Sequence, residues 1–182
     1  MKICIIGNNL TSLTLAKALV NRDIFVDVFY KYKNIRIDKS RTIGLSRSNT
    51  NFFIKNISNI NKILWPIKKI KIFLENSGNK EIIKFSDQKN NLFSIMKNHK
   101  LYNQLNFELT KSKYFKLKKN IPFKSLIKID YDLIINCDYN HQITKKFFFK
   151  NFRKNYNSVA FTTIIDHKKL ILNDSAVQIF TN

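Results

Sequence analysis

The fold is decided by residues 2–20, which read KICIIGNNLTSLTLAKALV. An apolar run at 2–6 ends at Gly7, as expected for a fully buried parallel strand. Leucine, alanine and valine then recur on one helical face over 10–20. Residues 24–29, IFVDVF, alternate as a second strand. A strand, a helix and a strand within about 30 residues predict a βαβ unit, with a parallel sheet and a right-handed crossover.

Length and composition limit the class of protein. The chain has 182 residues, of which 44% are hydrophobic and 16 are Phe. It can therefore bury the core of one domain, or of one domain and part of a second. No apolar run reaches the roughly 18–20 residues of a membrane-spanning helix, and the N-terminal stretch lacks the pattern of a signal peptide. Cys4 and Cys137 lie in apolar surroundings, which indicates buried thiols in a reducing compartment. We therefore expect a cytoplasmic protein.

The charge of the chain is strongly positive and has two interpretations. Lys and Arg number 33 against 12 Asp and Glu, which gives a net charge of +21. The lysines are dispersed without a dense block, and only 3 residues are Gly, against about 13 at the usual frequency. Codons rich in A and T encode this mixture of Lys, Asn, Ile, Phe and Tyr. Base-composition drift and a selected basic surface both stay open, and nucleic acid is not the expected partner.

Beyond the βαβ unit, the patterns predict two further helices and a series of short strands. The helices are expected at 48–63 and 98–110. The strands are expected at 67–74, 80–86, 92–96, 113–117, 131–136, 158–165 and 175–181. The first two of these strands should pair through a turn at 76–79, and the last two are expected in an antiparallel sheet. The layout is that of a parallel α/β domain interrupted by hairpins.

The loop from Gly7 to Ser12 occupies the position in which dinucleotide folds place G-x-G-x-x-G. Those glycines allow a tight turn and bring a pyrophosphate close to the helix N-terminus. Of the three, only Gly7 is present, although Asn9 tolerates left-handed backbone angles and Ser12 is small enough for helix–strand packing. The acidic residue that would bind a ribose is missing, since Tyr30 or Lys31 stands at the end of the second strand. Spacing alone leaves nucleotide binding and a purely structural βαβ unit equally open.

Six segments, in order along the chain, resemble the FAD-dependent aromatic hydroxylases, and in particular their ubiquinone-biosynthesis branch. They are the opening strand and helix, Arg41–Ser46 (RTIGLS), Trp65–Ile67 (WPI), Asn98–Leu105 with its Asn-x-x-Leu-x-x-x-Leu spacing, Tyr131–Asp138 (YDLIINCD) and Ser175–Thr181 (SAVQIFT). The resemblance covers all 182 residues but only the N-terminal half of a family member.

The resemblance implies an α/β fold and a set of cofactor-binding residues. Residues 1–156 would be a Rossmann-like FAD-binding domain with inserted hairpins at about 67–96, and 157–182 would begin an antiparallel substrate-domain sheet. The residues that the resemblance assigns to FAD are Gly7, Asn8, Asn9, Leu10, Thr11 and Ser12 at the pyrophosphate, Arg41 at the phosphate or ribityl side, and Asn98. Without the resemblance, Arg41 is interpreted as an exposed loop cation and Asn98 as a helix N-cap. No catalytic residue or metal site is assigned.

The sequence departs from the family pattern in two places. The stretch 138–142, DYNHQ, replaces Asp-Gly-x-x-Ser, and Tyr139 would be strained if this turn needs a positive φ. The family's Gly-Asp-x-x-His segment does not occur, so the flavin site is not expected to close within one chain if residue 182 is its end.

Two functions therefore stay open. One is the FAD-binding portion of a monooxygenase that uses NAD(P)H to hydroxylate a small aromatic, prenylated, ubiquinone-precursor-like substrate. Such a protein would attach peripherally to the inner face of the membrane or meet other quinone-biosynthesis proteins. The alternative is a truncated or decayed, non-catalytic Rossmann-like scaffold with a basic surface.

Overall fold

The computed structural model describes residues 1–32, 37–75, 80–87, 89–148, 154–165, 168 and 173–181. The chain divides into two compact units. The first comprises Met1–Lys39, Asn56–Ser58 and Asn98–Phe161, and the second comprises Ser40–Lys55, Asn59–Lys97 and Thr162–Asn182. The predicted boundary at residue 156 concerns the domains of a longer flavoprotein and stays a prediction.

The elements of the described residues are short strands and helices. The strands are β1 (Lys2–Ile6), β2 (Phe25–Tyr30), β3 (Thr42–Ser46), β4 (Trp65–Ile67), β5 (Lys69–Leu74), β6 (Glu81–Ser86), β7 (Phe93–Lys97), β8 (Phe115–Lys119), β9 (Leu133–Asn136) and β10 (Ser175–Phe180). The helices are α1 (Leu10–Val20), α2 (Arg47–Asn56), α3 (Asn98–Thr110), α4 (Phe123–Leu126) and α5 (Gln142–Phe147), with a 3-10 turn at Asn61–Ile63.

A parallel sheet forms the centre of the first unit, with the strand order β8-β2-β1-β9. Strand β1 is buried along its length, since Ile3, Cys4, Ile5 and Ile6 are each at most 1% exposed. Burial on both faces explains why this strand is a continuous apolar run rather than an alternating one. The βαβ unit and its parallel pairing are therefore confirmed.

The second unit holds two smaller sheets. In one, β7 pairs antiparallel with both β3 and β4. In the other, β5 and β6 form the predicted antiparallel pair, with an irregularity between Ile72 and Phe73. Strand β10 joins β5 on its other side in the parallel direction. Together, the two units make a mixed α/β protein, as predicted.

The structure corrects several of the predicted elements. The helix expected at 48–63 ends at Asn56. Residues 158–165 form no strand in the described chain, and the strand predicted at 175–181 is parallel to β5 rather than part of an antiparallel pair. Strand β3 was not predicted, and the turn expected at 76–79 lies outside the described residues. Among the residues described, no helix is long and apolar enough to cross a membrane.

Candidate functional site

The candidate site lies at the carboxyl ends of the parallel strands. Strand β1 has β2 on one side and β9 on the other, so the loops that follow β1 and β9 diverge at this edge. Open α/β sheets bind ligands in such a crevice, where the strand order reverses. Here the loop after β1 is Gly7–Asn9, and the turn after β9 runs from Cys137 to His141.

Gly7 has a backbone that requires glycine. Its φ is +100°, a region that side-chain-bearing residues rarely adopt. A Cβ at this position would also lie 3.3 Å from the Cβ and the backbone N of Asp138. The Gly7 N–H donates to the carbonyl oxygen of Phe29 at 2.8 Å. The one retained motif glycine therefore holds the loop against the turn after β9 and the end of β2.

Asn9 caps helix α1 instead of supplying a left-handed turn. Its φ of −78° and ψ of 178° are extended, so the left-handed angles that Asn tolerates are not used here. The Asn9 Oδ1 accepts hydrogen bonds from the N–H of Ser12 at 3.0 Å and from its hydroxyl at 3.1 Å. The Asn9 Nδ2 donates to the Cys137 carbonyl at 2.7 Å. The side chain is thus bonded back into the protein, as an N-cap residue should be.

The first turn of α1 leaves two backbone donors available. Asn9 satisfies the N–H of Ser12, and the Leu13 N–H donates to the Asn9 carbonyl at 3.0 Å. Within the described ranges, the N–H groups of Leu10 and Thr11 have no partner. Unpaired amides and the dipole at a helix N-terminus favour an anion. Thr11 is exposed, so this end of α1 is open to solvent.

Ser12 and Asn8 are buried against neighbouring elements. Ser12 is fully buried and hydrogen-bonds with the Cys137 thiol. Burial raises the pKa of this thiol, and the bond with Ser12 lowers it by a smaller amount. The Asn8 side chain, 6% exposed, donates to the Tyr32 carbonyl at 3.1 Å. It also bonds Tyr102 of α3, where burial raises the pKa of the phenol more than the bond lowers it. Tyr102 was not predicted, because nothing in the helical pattern separates it from an ordinary core residue.

The turn after β9 is built without a glycine. The carbonyl of Asp138 accepts from the His141 N–H at 3.1 Å, and its Oδ1 accepts from the Asn140 N–H at 2.9 Å. Among the described non-glycine residues, positive φ occurs only at Asp23 and Asn157. Tyr139 is therefore unstrained, and the strain that the missing glycine suggested is absent. His141 is 6% exposed, and its Nδ1 accepts from the Ile143 N–H at 3.3 Å.

Asn98 and Arg41 have different surroundings. Asn98 is the first residue of α3, and its Oδ1 is buried without a partner among the described residues. It thus makes no side-chain cap there, and it leaves an acceptor that a ligand or a water can satisfy. Arg41 belongs to the second unit, is exposed and directly precedes β3. Contact of either residue with FAD stays a prediction.

The end of β2 carries cations at the position where dinucleotide folds have a ribose-binding carboxylate. Tyr30 closes the strand, and Lys31 and Tyr32 follow, both exposed. Lys119, at the end of β8, is the register partner of Tyr30 and is also exposed. No acidic side chain stands between 28 and 32. This edge therefore lacks the ribose ligand of dinucleotide sites, as the sequence indicated.

A buried charge cluster in the same unit has no local signature in the sequence. Asp27 is 4% exposed, and its Oδ2 accepts from the Lys118 Nζ at 2.7 Å and from the Tyr131 hydroxyl at 2.6 Å. Burial and the Asp27 carboxylate raise the pKa of Tyr131. Asp27 also borders a groove of about 280 Å³ at the amino ends of the strands, lined in part by Phe25 and Tyr114. That groove lies at the opposite edge of the sheet from Gly7.

The parallel sheet, the glycine turn and the capped helix define an α/β protein of the Rossmann-like class.

No family model matches the sequence, and no curated protein matches it. Solved structures share the fold, as three examples show. The p-nitrophenol 4-monooxygenase PnpA from Pseudomonas putida is 13% identical over 65% of this chain and 31% of its own, with a TM-score of 0.54. The flavin-dependent monooxygenase PieE, solved with FAD and substrate, is 12% identical over 65% of this chain and 24% of its own, at 0.51. Klebsiella pneumoniae HpxO, complexed with FAD, is 16% identical over 64% of this chain and 31% of its own, at 0.51.

These likenesses establish a shared fold. The present chain spans less than a third of the length of each of the three structures. Its α/β architecture is therefore shared with one portion of each of these three structures.

Proposed function

We propose that this chain is the FAD-binding portion of a flavin-dependent monooxygenase that hydroxylates an aromatic substrate. One observation carries the proposal: Gly7, at φ +100°, places the loop after β1 against Asp138, and the amides of Leu10 and Thr11 have no partner among the described residues. A dinucleotide pyrophosphate needs this arrangement at a helix N-terminus. The shared fold supports FAD as the dinucleotide, because two of the solved neighbours contain it.

The residues present fit the two halves of the cofactor unequally. The side chains of Asn9 and Ser12, which stand at the other two motif glycine positions, are bonded into the protein, so neither needs to point at the pyrophosphate. Thr11 and Leu10 would supply backbone donors, and the buried Oδ1 of Asn98 would accept from a cofactor hydroxyl or amide. At the adenosine end, by contrast, the usual ribose carboxylate is absent.

The finer assignment follows the ubiquinone-biosynthesis branch. A bound flavin supplies the oxygen chemistry, with NAD(P)H as the electron donor. The protein's part is to hold the pyrophosphate and to exclude water from the cofactor. The substrate would be a small aromatic, prenylated quinone precursor. The protein would be cytoplasmic and peripheral at the inner membrane face, where its positive charge favours anionic lipid, and it would meet other quinone-biosynthesis proteins there.

Flavin binding by the purified 182-residue chain tests the proposal. Equilibrium dialysis at fixed ionic strength compares FAD with FMN, which lacks the adenosine and the pyrophosphate. We expect FAD to bind at least about tenfold more tightly, the gain of a single well-made charged contact. Equal affinity for FAD and FMN would contradict a dinucleotide site.

Two variants and a control locate the binding. Gly7→Ala places a Cβ 3.3 Å from Asp138 at a positive φ and should abolish the FAD preference. Thr11→Asp puts a negative charge in the first turn of α1, which stabilises the helix but repels a phosphate, so lost binding in this variant is not a folding defect. Gly44→Ala is the control, because the nearest atom to its Cβ is an ordinary 3.9 Å away. Unchanged FAD binding in Thr11→Asp would overturn the proposed site.

A second candidate function is a non-catalytic binding module with a basic surface. Lys31 in place of the ribose carboxylate and Tyr139 in place of a turn glycine favour it. In that case FAD, FMN and inorganic pyrophosphate would bind with affinities that follow their charge and fall steeply with salt. Thr11→Asp would then weaken all three equally.

A further inference from the structure

Two hydrogen bonds to residues that flank Lys31 hold its backbone beside the loop after β1. On one side of it the Phe29 carbonyl accepts from the Gly7 N–H at 2.8 Å. On the other side the Tyr32 carbonyl accepts from the Asn8 Nδ2 at 3.1 Å. Because one anchor lies two residues before Lys31 and the other one residue after it, the backbone of Lys31 is fixed next to the glycine turn. The position of this cation is therefore fixed by the fold, unlike that of a lysine on a mobile surface loop.

A second cation comes from the neighbouring strand. Lys119 aligns with Tyr30 in the parallel pairing of β2 with β8, and the next residue, Asn120, donates its N–H to the Tyr30 carbonyl at 2.8 Å. The Asn120 Oδ1 is buried without a partner among the residues described. Lys31 at the end of β2, and Lys119 and the Asn120 amide oxygen at the end of β8, therefore lie at the same edge of the sheet.

Among the described residues, the acid on β2 and the acid that follows β9 are both bonded to other groups. Asp27, the one acid of β2, is bonded to Lys118 and Tyr131. Asp138 lies on the other side of β1 and accepts from the Asn140 N–H. Lys31 lies 5.3 Å from the centroid of the Tyr32 ring, a contact that leaves ammonium protons for a further acceptor.

We propose that the end of β2 binds a phosphate on the 2′ position of an adenosine ribose, with Lys31 and Lys119 as its ligands. In dinucleotide folds a carboxylate here accepts from the ribose 2′-hydroxyl, and a cation here accommodates a 2′-phosphate instead. The inference rests on the proposed function, since it assumes that the Gly7 loop takes an adenine dinucleotide. It adds that a 2′-phosphate strengthens the binding of an adenine nucleotide at the adenosine end, where such nucleotides compete with FAD.

Calorimetric titration of the 182-residue chain at about 0.15 M ionic strength tests this with three probes. They are 5′-AMP, adenosine 2′,5′-bisphosphate and adenosine 3′,5′-bisphosphate, the last of which matches the second in charge. We expect the 2′,5′-bisphosphate to bind about tenfold more tightly than 5′-AMP and about fivefold more tightly than its 3′,5′ isomer, as two partly exposed ion pairs would give. It should also displace FAD at lower concentration than 5′-AMP does.

Lys31→Gln should remove most of the preference for the 2′,5′ isomer, and Lys119→Gln should remove part of it. Lys113→Gln is a matched control, because Lys113 lies 5.1 Å from the ring of its neighbour Tyr114 and borders the groove at the opposite edge of the sheet. Equal affinities for the two bisphosphates, or equal effects of Lys31→Gln and Lys113→Gln, would overturn the inference.

The titrations also separate this inference from the proposed function. FAD binding without any gain from a 2′-phosphate overturns only the inference. Binding of the 2′,5′-bisphosphate without FAD binding supports the inference and overturns the assignment of FAD. If none of the nucleotides binds, both are overturned.

Discussion

Neutralisation of Asp27 should weaken the parallel sheet. Asp27→Asn preserves the shape of the side chain, and the new amide oxygen can still accept from the Tyr131 hydroxyl. The substitution removes the charged bond from Lys118 to the side chain. It also buries the NH₂ group of the new Asn without a hydrogen-bond acceptor. A bond to a charged group contributes about 1.5–3 kcal/mol, but the Lys118 side chain is 38% exposed, so water recovers part of the loss.

We estimate about 1 kcal/mol for the lost charge and about 1 kcal/mol for the unsatisfied NH₂, or about 2 kcal/mol of unfolding free energy. Hydrogen exchange of the β1 and β2 amides measures this unit directly, and about 2 kcal/mol corresponds to roughly 30-fold faster exchange through unfolding. Asp23→Asn is the control, because Asp23 is exposed and its φ of +57° suits Asn equally well.

A double-mutant cycle tests the reasoning further. Lys118→Gln alone should also cost about 2 kcal/mol, because it leaves the Asp27 carboxylate, 4% exposed, with the Tyr131 hydroxyl at 2.6 Å and the Lys2 ammonium only at 3.9 Å. Asp27→Asn should then cost less in the Lys118→Gln background than in the natural chain. If Asp27→Asn and Asp23→Asn accelerate exchange by the same factor, the buried cluster does not stabilise the sheet and the argument is wrong.

Two further predictions concern titration in the first unit. Burial raises the pKa of Glu108, but bonds from Ser58 and Gln104 and the charge of Lys17 lower it by more, below 4.5. Since the folded pKa is the lower one, the stabilisation is present at neutral pH and is lost as the pH falls below about 4.5. Urea midpoints of Glu108→Gln should therefore decline less steeply on the acid side, and an unchanged slope would refute this. For Cys4, burial raises the pKa to about 12, so its alkylation at mildly alkaline pH should follow unfolding. Mass spectrometry showing rapid Cys4 labelling in native buffer would contradict that.

The βαβ unit was predictable because burial on both faces leaves an unmistakable apolar run, as in β1. The end of the second helix was not predictable, since Ile57 and Ile60 continue the helical spacing of Phe53 although the helix stops at Asn56. Both isoleucines are buried, and apolar side chains of an irregular segment keep the same spacing by packing inward. Periodicity alone cannot separate these two cases.

The pairing partners of some strands and the contacts of buried charges could not be predicted from local sequence patterns. The register of β10 against β5 joins Ser175 to Lys69, and no feature near either residue specifies a parallel partner so far along the chain. Asp27 appeared to be the polar member of an alternating strand. Its partners, Lys118 and Tyr131, are 91 and 104 residues away, so only the fold reveals the cluster. At the site, the motif position led to Asn9, whereas its bond to the Cys137 carbonyl, 128 residues away, required the structure.

The parallel pairing of β1 with β9 has a consequence for biosynthesis. It joins Ile3 to Leu133, so the central strand of the first unit has no neighbour on one side until 130 further residues have been made. At a synthesis rate of about 5–20 residues per second, that interval lasts roughly 7–26 seconds. During this interval one edge of β1 stays unpaired, although four of its residues are buried in the folded protein. A nascent chain of this kind is a natural client of ribosome-associated chaperones, and slower translation would lengthen its exposure to aggregation.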